Sequence, residues 1–225
     1  MSRALTRRKP TAARRHEIAE AALDLIAARG VAEFTAMGVA RAVGLSDAAL
    51  FRHFDSMESI VQEVIDRVDK ILFAGFPPHD ADPLVRLQRF FGHRVEIMRR
   101  HPGVARLVAS DILATLAPPA AALQVRSFKR RSLEFIRACV VEARQKGRLE
   151  GLGVDEVCVL VVGSIHALTQ RAWSMQPSPP SPALAARVWA ALQRTFDAGR
   201  AGRVVIAATP APRSGRRRRP RSTSR

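Results

Sequence analysis

Apolar residues recur along most of the chain at spacings of three and four, which is the period of an amphipathic α-helix. No segment shows the alternation of apolar and polar residues that is typical of a half-buried strand. Glycine and proline divide the helical pattern into nine segments. The predicted helices are 11–29, 35–43, 46–53, 56–72, 83–100, 102–115, 119–146, 154–175 and 183–198. The pattern therefore predicts an all-α fold.

Short polar residues mark the starts of the helices near the N-terminus. Thr35, Ser46 and Ser56 each precede a helical segment, and their hydroxyls can accept from the unpaired N–H groups of a first turn. Gly30 and Gly44 follow the first and second segments, where a glycine commonly ends a helix. Three helices are thereby predicted within the first 54 residues.

Composition is that of a folded protein with few aromatic residues. The 225 residues are 47% hydrophobic, 25% charged and 5% aromatic, and tyrosine is absent, so aliphatic side chains and alanine must supply most of the burial. Neither an apolar run long enough for a membrane span nor a signal-peptide core is found, so we expect a cytoplasmic protein. Cys139 and Cys158 form no C-x-x-C pair and lie in apolar helical segments, which predicts buried, reduced thiols.

The formal net charge of +17 is concentrated at the two ends of the chain. Residues 1–15 contain six basic residues and residues 200–225 contain nine arginines, with no acid in either segment, so the body is nearly neutral. We predict a disordered basic arm at 1–10 and a disordered Arg-rich tail at 200–225. Flexible cationic ends suit a polyanionic partner. The tail can equally be a solubilising segment whose arginine bias reflects genome composition, and both interpretations stay open.

The second and third predicted helices form the pattern of a helix-turn-helix. They are joined by a turn at Gly44, and Ala40, Val43, Leu45 and Leu50 are spaced to pack them together. This unit places its second helix in the major groove of DNA.

The segment TAMGVARAVGLSDAALFRHFDSMESI resembles the DNA-binding domain of the TetR family of bacterial repressors. The matching positions are Thr35, Ala40, Gly44, Leu45, Ser46, Leu50, His53, Phe54, Ser56 and Ile60, with Val39 in place of isoleucine. The resemblance extends over about residues 11–65. It implies a DNA-binding domain at 11–55 and a ligand-binding and dimerisation bundle at 56–199. The implied function is that of a ligand-responsive repressor that binds a palindromic operator as a homodimer, without a cofactor.

The resemblance also implies which residues contact DNA. In the recognition helix, Arg52 can pair with guanine or hold phosphate, Asp47 can accept from cytosine, and Ala48 or Ala49 can touch a thymine methyl. The full set of candidates is Thr35, Ser46, Asp47, Ala48, Ala49, Phe51, Arg52 and His53, with Arg7, Arg8, Lys9 and Arg14 from the segment ahead of them.

Two positions depart from the family pattern in a way that affects phosphate binding. Phe51 replaces the usual tyrosine and Met57 the usual lysine, and both of those side chains commonly bind phosphates in the family. Residues 16–58 also contain three arginines against seven carboxylates. We therefore expect the basic arm to supply much of the phosphate contact.

For the C-terminal bundle, the resemblance implies dimerisation through the last two long helices and an effector pocket among the others. The dimer candidates are Gly163, Ala167, Val188, Leu192 and Phe196. The pocket candidates are Phe91, Met98, Phe135, Cys139, His166, Gln170 and Trp173, with Phe90, Leu107 and Phe128 as further possibilities. Each of these can equally be a core residue. His166 and Gln170, one turn apart on an apolar helix, are expected to orient the ligand.

Two further functions agree with features of the sequence. The segment HPGVARLVASDIL resembles SlmA proteins of the same family, which implies a DNA-binding, chromosome-organising protein with a protein partner. A non-specific nucleic-acid binder acting through the Arg-rich ends is the third possibility. The motifs G-x-S-x-G, H-E-x-x-H and G-x-G-x-x-G and the P-loop are absent, and the six histidines are dispersed, so we predict neither an enzyme nor a metal site.

Overall fold

The structure, a computed structural model, describes residues 11–109, 113, 117–169 and 181–198. In these ranges the chain forms nine α-helices and no strand, which confirms the all-α prediction. The helices are α1 Thr11–Arg29, α2 Ala36–Ala42, α3 Asp47–Leu50, α4 Met57–Phe73, α5 Pro83–Arg100, α6 Pro102–Ala109, α7 Pro119–Gln145, α8 Val154–Thr169 and α9 Pro182–Ala198. The predicted arm, the predicted tail and the C-terminal ends of the predicted helices 102–115 and 154–175 lie outside the described residues.

The predicted helix starts are confirmed by their hydrogen bonds. The hydroxyl of Thr35 accepts from the Gly38 amide at 3.1 Å, and that of Ser46 accepts from the Ala49 amide at 3.2 Å. Ser56 and Ser59 form a reciprocal cap at the start of α4. Such a cap contributes about 1 kcal/mol to helix stability.

The third helix is shorter than predicted. The sequence predicts it over 46–53, whereas α3 ends at Leu50. Beyond Leu50 the chain tightens into turns in which the His53 amide donates to the Leu50 carbonyl at 2.9 Å. These turns bring Phe54 into the core, where it is almost completely buried. The last turn of the recognition element is therefore not α-helical.

One hydrophobic cluster joins α1 to α4 with α6 and the first half of α7. Its fully buried side chains include Ile18, Ile26, Leu50, Phe54 and Ile60. Each stabilises the fold by about 1.5–3 kcal/mol relative to exposure. The domain boundary predicted at residue 55 lies inside this cluster, so α4 is packed as part of the same core as the helix-turn-helix.

A second hydrophobic cluster holds α5, α7, α8 and α9 together. Phe91 packs against Trp189 with ring centroids 5.3 Å apart, and Trp189 packs against Phe196 at 6.2 Å. Leu192 and Phe196, two of the predicted dimer residues, are buried in this cluster, Phe196 with only 2% of its surface exposed. Their apolar stripe on α9 faces the core of the same chain and not a partner. For these two residues the prediction is corrected.

The N-terminal domain contacts the bundle through α4 and α6. Arg15 of α1 pairs with Glu63 of α4 at 3.0 Å, and Glu20 pairs with Arg67 one turn further along both helices. The start of α6 lies against the backbone of α1, and a β-carbon at Gly103 would overlap the Leu23 carbonyl. A side chain at this position therefore cannot be accommodated without moving α6 away from α1.

Candidate DNA-binding surface and effector cavity

The start of α3 presents a small, polar surface to solvent. Ser46, Asp47, Ala48 and Arg52 are exposed, and we call these four residues the reading surface. Beneath them, buried Leu50 holds the short helix against α2. The side chains at 46–48 are short, so the backbone of α3 can approach a base edge closely, while Arg52 supplies the long cationic group.

Two hydroxyls, one in the reading surface and one in the preceding turn, serve as helix caps. Thr35 and Ser46 each accept from a backbone amide, which leaves the O–H proton of each to donate to a phosphate. Gly44, with φ of 66°, makes the left-handed turn that joins α2 to α3. The two caps and this turn fix the angle at which α3 leaves the domain.

Phe51 and His53 lie on the turns that follow α3. Phe51 is 42% exposed, so its ring is available at the surface but has no hydroxyl to donate to a phosphate. His53 is half-buried, and its buried Nδ1 has no hydrogen-bond partner in the described part of the chain. Only Nε2 of His53 is therefore left to meet a phosphate.

Arg14 is half-buried, and its guanidinium contacts other groups of the same domain. One guanidinium nitrogen donates to the Val43 carbonyl at 3.5 Å, and another pairs with Glu17 at 2.9 Å. Val43 is the C-cap of α2, where a cation is favoured by the helix dipole. The geometry thus gives Arg14 a helix-capping contact in place of the outward orientation that the DNA prediction needs. Arg7, Arg8 and Lys9 lie outside the described residues.

A cavity of about 240 Å³ lies among α4, α5, α6, α7 and α8. Met98 and His166, two of the predicted pocket residues, line it, as do Phe90 and Phe128. Its remaining walls are largely apolar, with Leu72, Val108, Ile136 and Ile165 among them. Burial of an apolar ligand with a few oriented polar contacts is the usual arrangement in such cavities.

The other predicted pocket residues lie elsewhere. Phe135 packs against Phe76 and Phe90, with centroids 5.1 and 5.3 Å apart. Cys139 is buried in the second cluster, and burial raises the pKa of its thiol. Phe91 lines a separate cleft of about 520 Å³ between α5 and α9. Phe135 and Cys139 do not line the 240 Å³ cavity, so for these two residues the prediction is corrected. A ligand contact of Phe91 stays a prediction, and Gln170 and Trp173 lie outside the described residues.

Arg94 of α5 lines the 240 Å³ cavity, and the sequence prediction missed it. Only 6% of its surface is exposed. Nη1 donates to the Leu72 carbonyl at 3.0 Å, Nη2 donates to the Ser132 hydroxyl at 3.2 Å, and the guanidinium lies over the rings of Phe73 and Phe90. Burial, with repulsion from Arg131, lowers the pKa of Arg94 to about 10, so it remains charged at neutral pH.

The contacts of Arg94 compensate its burial only in part. The Leu72 carbonyl belongs to the last turn of α4, where a cation contributes about 0.3–1 kcal/mol, and up to about 2 kcal/mol when partly buried. Removing an ion from water costs more than this even after the protein relaxes. A signal was present in the sequence, because Leu87, Phe91, Arg94 and Met98 follow one helical face, which puts an arginine among apolar positions.

The outward face of α8 is apolar. Val159 is 70% exposed, Leu160 is exposed beside it, and Gly163 and Ala167 continue the same face one and two turns later. Val188 of α9 is half-buried. A helix that is apolar on both its inner and outer sides is typical of one that is covered on both.

Residues 18–64 match the family model described as bacterial regulatory proteins of the tetR family. The match includes α2, α3 and the reading surface. This match identifies residues 18–64 as a helix-turn-helix domain similar to those of the TetR family.

Similar proteins extend the likeness beyond the N-terminal domain. The nucleoid occlusion factor SlmA of Marinobacter nauticus is 26% identical over 189 residues, which are 77% of this chain and 92% of that protein. The factor of the same name from Aliivibrio fischeri strain MJ11 is 32% identical over 117 residues, but these are 48% of this chain and 56% of that protein. Similarity to SlmA proteins therefore covers both halves of the chain in one relative and about half the length in another.

Solved structures of TetR-like regulators share the fold. The ketosteroid transcriptional regulator KstR2 of Mycobacterium tuberculosis superimposes with a TM-score of 0.69 at 21% identity, over 81% of this chain and 94% of that one. The structure of AibR in complex with isovaleryl coenzyme A and operator DNA gives 0.66 at 17% identity, over 81% and 98%. These likenesses include the C-terminal bundle. Among the described residues, no helix is both long and apolar enough to cross a membrane.

Proposed function

We propose that the chain is a ligand-responsive transcriptional repressor that binds a palindromic operator as a homodimer. The observation that carries the proposal is the arrangement of α4. This helix begins at the end of the helix-turn-helix and is packed in its core, while its last turn, at Leu72, lines the 240 Å³ cavity. One rigid element therefore touches both the DNA-binding unit and an internal space of ligand size.

On DNA, the reading surface provides the base contacts of the proposal. Arg52 pairs with guanine, and Asp47 and Ala48 meet the neighbouring base edges. Thr35, Ser46 and His53 hold phosphates, and Arg7, Arg8 and Lys9 follow the backbone ahead of α1. The few base contacts then specify the sequence, and the more numerous phosphate contacts set the orientation of the domain on DNA.

The outward face of α8 is the proposed dimer interface. Val159, Leu160, Gly163 and Ala167 form its centre, and Val188 of α9 lies at its edge. An interface related by a twofold axis uses the same patch on both chains, and the small residues at 163 and 167 allow two α8 helices to approach closely. A dimer presents two reading surfaces, which must fit half-sites about 34–36 Å apart.

In the proposed response, the effector occupies the cavity and moves α4. The ion pairs from α1 to α4, Arg15–Glu63 and Glu20–Arg67, carry that movement into the DNA-binding domain. The distance between the two reading surfaces then no longer fits successive major grooves. The structure of AibR, a complex with isovaleryl coenzyme A and operator DNA, supports only the combination of a ligand site and a DNA-binding site on this fold.

Selection from a random duplex library tests the proposal. The full chain should enrich one palindromic sequence, and sedimentation should show two chains per duplex. A protein that enriches no sequence, or that binds its site as a single chain, contradicts it. Mapping the bound sites in cells should then find them beside one or a few transcription units.

The second candidate is a chromosome-organising factor of the SlmA type. The similarity to Marinobacter nauticus SlmA over 92% of that protein favours it. Such a factor should bind many sites spread over the chromosome, and its DNA affinity should not respond to small molecules. Genome-wide mapping therefore separates the two candidates, because a local regulator gives few sites and an organising factor gives many.

A further inference from the structure

Within the described part of the chain, Arg94 differs from three other arginines of the bundle in its lack of a carboxylate partner. Arg86 pairs with Glu142, Arg99 with Glu96, and Arg131 with Asp69. Arg94 is more deeply buried than any of these, yet no carboxylate among the described residues lies within ion-pairing distance of it. Buried charges in proteins are normally paired with an opposite charge. Arg94 therefore lacks, within the described ranges, the anionic partner that a buried cation usually has.

The cavity beside Arg94 is complementary to an anion. No Asp or Glu occurs among the described residues that line it, whereas Arg94 and Lys129 both do. The guanidinium has five N–H donors, of which the bonds to Leu72 and Ser132 use two. A planar fork of this kind matches a carboxylate or a phosphate in bidentate fashion.

The size and polarity of the cavity limit the rest of the ligand. An engineered apolar cavity of ~150 Å³ holds benzene, so a volume of about 240 Å³ suits an aromatic ring or short alkyl chain together with a carboxylate. Phe90, Met98, Phe128 and Ile136 supply apolar contacts for such a body. A phosphate dianion would bring two charges to a site with one buried arginine.

We propose that the cavity binds a small monocarboxylic acid with an apolar body, and that its carboxylate pairs with Arg94. The inference rests on the proposed function in that it names the effector class of the same cavity. It also supplies a link to α4: the same guanidinium that pairs with the carboxylate donates to the Leu72 carbonyl, so a shift of Arg94 toward the ligand loosens the cap on the last turn of α4.

A purely structural account gives Arg94 the role of tying α5 to α4 and α7. The two accounts differ in what they predict for ligands. A structural tie has no preference for an acid over its alcohol, whereas a carboxylate site discriminates strongly between them. They also differ in what removal of the charge does, because the tie stabilises the ligand-free chain and an unpaired buried cation does not.

Calorimetric titration of the full chain with three acids tests the inference. Hexanoate, benzoate and phenylacetate are each compared with the matching alcohol: hexanol, benzyl alcohol and 2-phenylethanol. We expect at least one acid to bind ten-fold more tightly than its alcohol. If no acid binds more tightly than its alcohol, the inference is overturned, whatever any variant shows.

Two substitutions assign the preference to Arg94. Arg94→Met should abolish the acid preference and leave the ligand-free melting temperature unchanged or higher, and Arg94→Lys should retain part of the preference. Arg126→Met, at an exposed arginine of α7, is the matched control and should retain it fully. An acid preference that survives Arg94→Met overturns the assignment. The assignment is also overturned if the wild type shows no acid preference and Arg94→Met lowers the melting temperature, because Arg94 is then only a structural tie.

The inference and the proposed function fail separately. Wild-type protein that selects an operator but shows no acid preference remains a regulator, and only the effector class is wrong. Wild-type protein that prefers acids through Arg94 but selects no DNA sequence retains the binding site and loses the proposed function.

Discussion

The DNA-binding domain and the helical bundle of α5 to α9 differ in where their candidate functional residues lie in the sequence. In the helix-turn-helix, the residues proposed to act lie close together in the chain, from Thr35 to His53, and all but the half-buried His53 are exposed. In the bundle, the cavity is lined by residues of five helices that span positions 72 to 169. The first surface depends on local hydrogen bonds, and the second on how side chains of distant segments fill space.

This difference determines how each region tolerates change. Exposed positions on α3 can be replaced with little effect on stability, because their neighbours are solvent and their backbone is fixed by caps. Close-packed positions in the core of the bundle cannot, because a change of one methylene group in such an interior is felt by its neighbours. Substitutions should therefore separate DNA binding from folding on the surface of α3 but not in the close-packed core of the bundle.

The largest effect should come from a charge placed in the bundle. Phe196→Glu puts a carboxylate among Trp189 and Phe91, where it has no cationic partner in the second cluster. Loss of the ring alone costs about 3–5 kcal/mol, so we expect the variant to lose its cooperative unfolding transition. Differential scanning calorimetry measures this.

The matched control is Val159→Glu on the outward face of α8. Because Val159 is exposed, stability should change by no more than ~0.5 kcal/mol while sedimentation shows monomers. A variant at 159 that remains dimeric would exclude this face as the interface. A folded variant at 196 would mean that α9 is not packed as the structure has it.

The next largest effect concerns Arg52 on the reading surface. Arg52→Ala should weaken binding to the selected operator by about 1–3 kcal/mol if the arginine pairs with guanine, with no change in melting temperature. Anisotropy titrations on the operator and on a scrambled duplex measure the loss. Equal losses on both duplexes would show that Arg52 only holds phosphate.

A smaller effect is expected from the basic arm. Deletion of residues 1–10 removes Arg3, Arg7, Arg8 and Lys9. The slope of log K against log salt concentration should flatten by roughly 1–3 units per dimer, since each neutralised phosphate contributes about 0.9. An unchanged slope would instead assign the cationic contacts to other segments, the Arg-rich segment 200–225 first among them.

The smallest effect should come from restoring the family's tyrosine. Phe51→Tyr adds a hydroxyl to an exposed ring and should strengthen operator binding by about 0.5–1.5 kcal/mol, the net value of one hydrogen bond. The sequence preference should stay the same, because phosphate contacts carry no base information. A changed preference would place residue 51 at a base edge. Met57→Lys is a poorer test, because Met57 packs against the first cluster.

The sequence predicted well what depends on neighbours in the chain. Thr35, Ser46 and Ser56 cap the helices that they were expected to cap, because a cap needs only its own first turn. The same periodicity identified an apolar stripe on α9 but not what that stripe faces. The stripe therefore predicts Leu192 and Phe196 at a dimer interface, whereas both lie in the core.

The sequence also predicts only part of the lining of the 240 Å³ cavity. Met98 and His166 line it as the sequence predicts, whereas Cys139 is buried in the second cluster and half-buried Phe135 packs against that cluster. Whether an apolar residue lines a space or fills it depends on the volumes of side chains from other helices, which periodicity does not contain. Arg94 is absent from the predicted lining because a ligand pocket is expected to be lined by apolar and weakly polar side chains.

The ratio of affinities for the selected operator and for a scrambled duplex tests the central claim most directly. The full chain should be titrated onto both duplexes at physiological salt. The account predicts that the operator binds at least about 10³-fold more tightly, as specific DNA-binding proteins do. Equal affinity for the two duplexes would show binding through the cationic ends alone, and would contradict the assignment of this chain as a sequence-specific regulator.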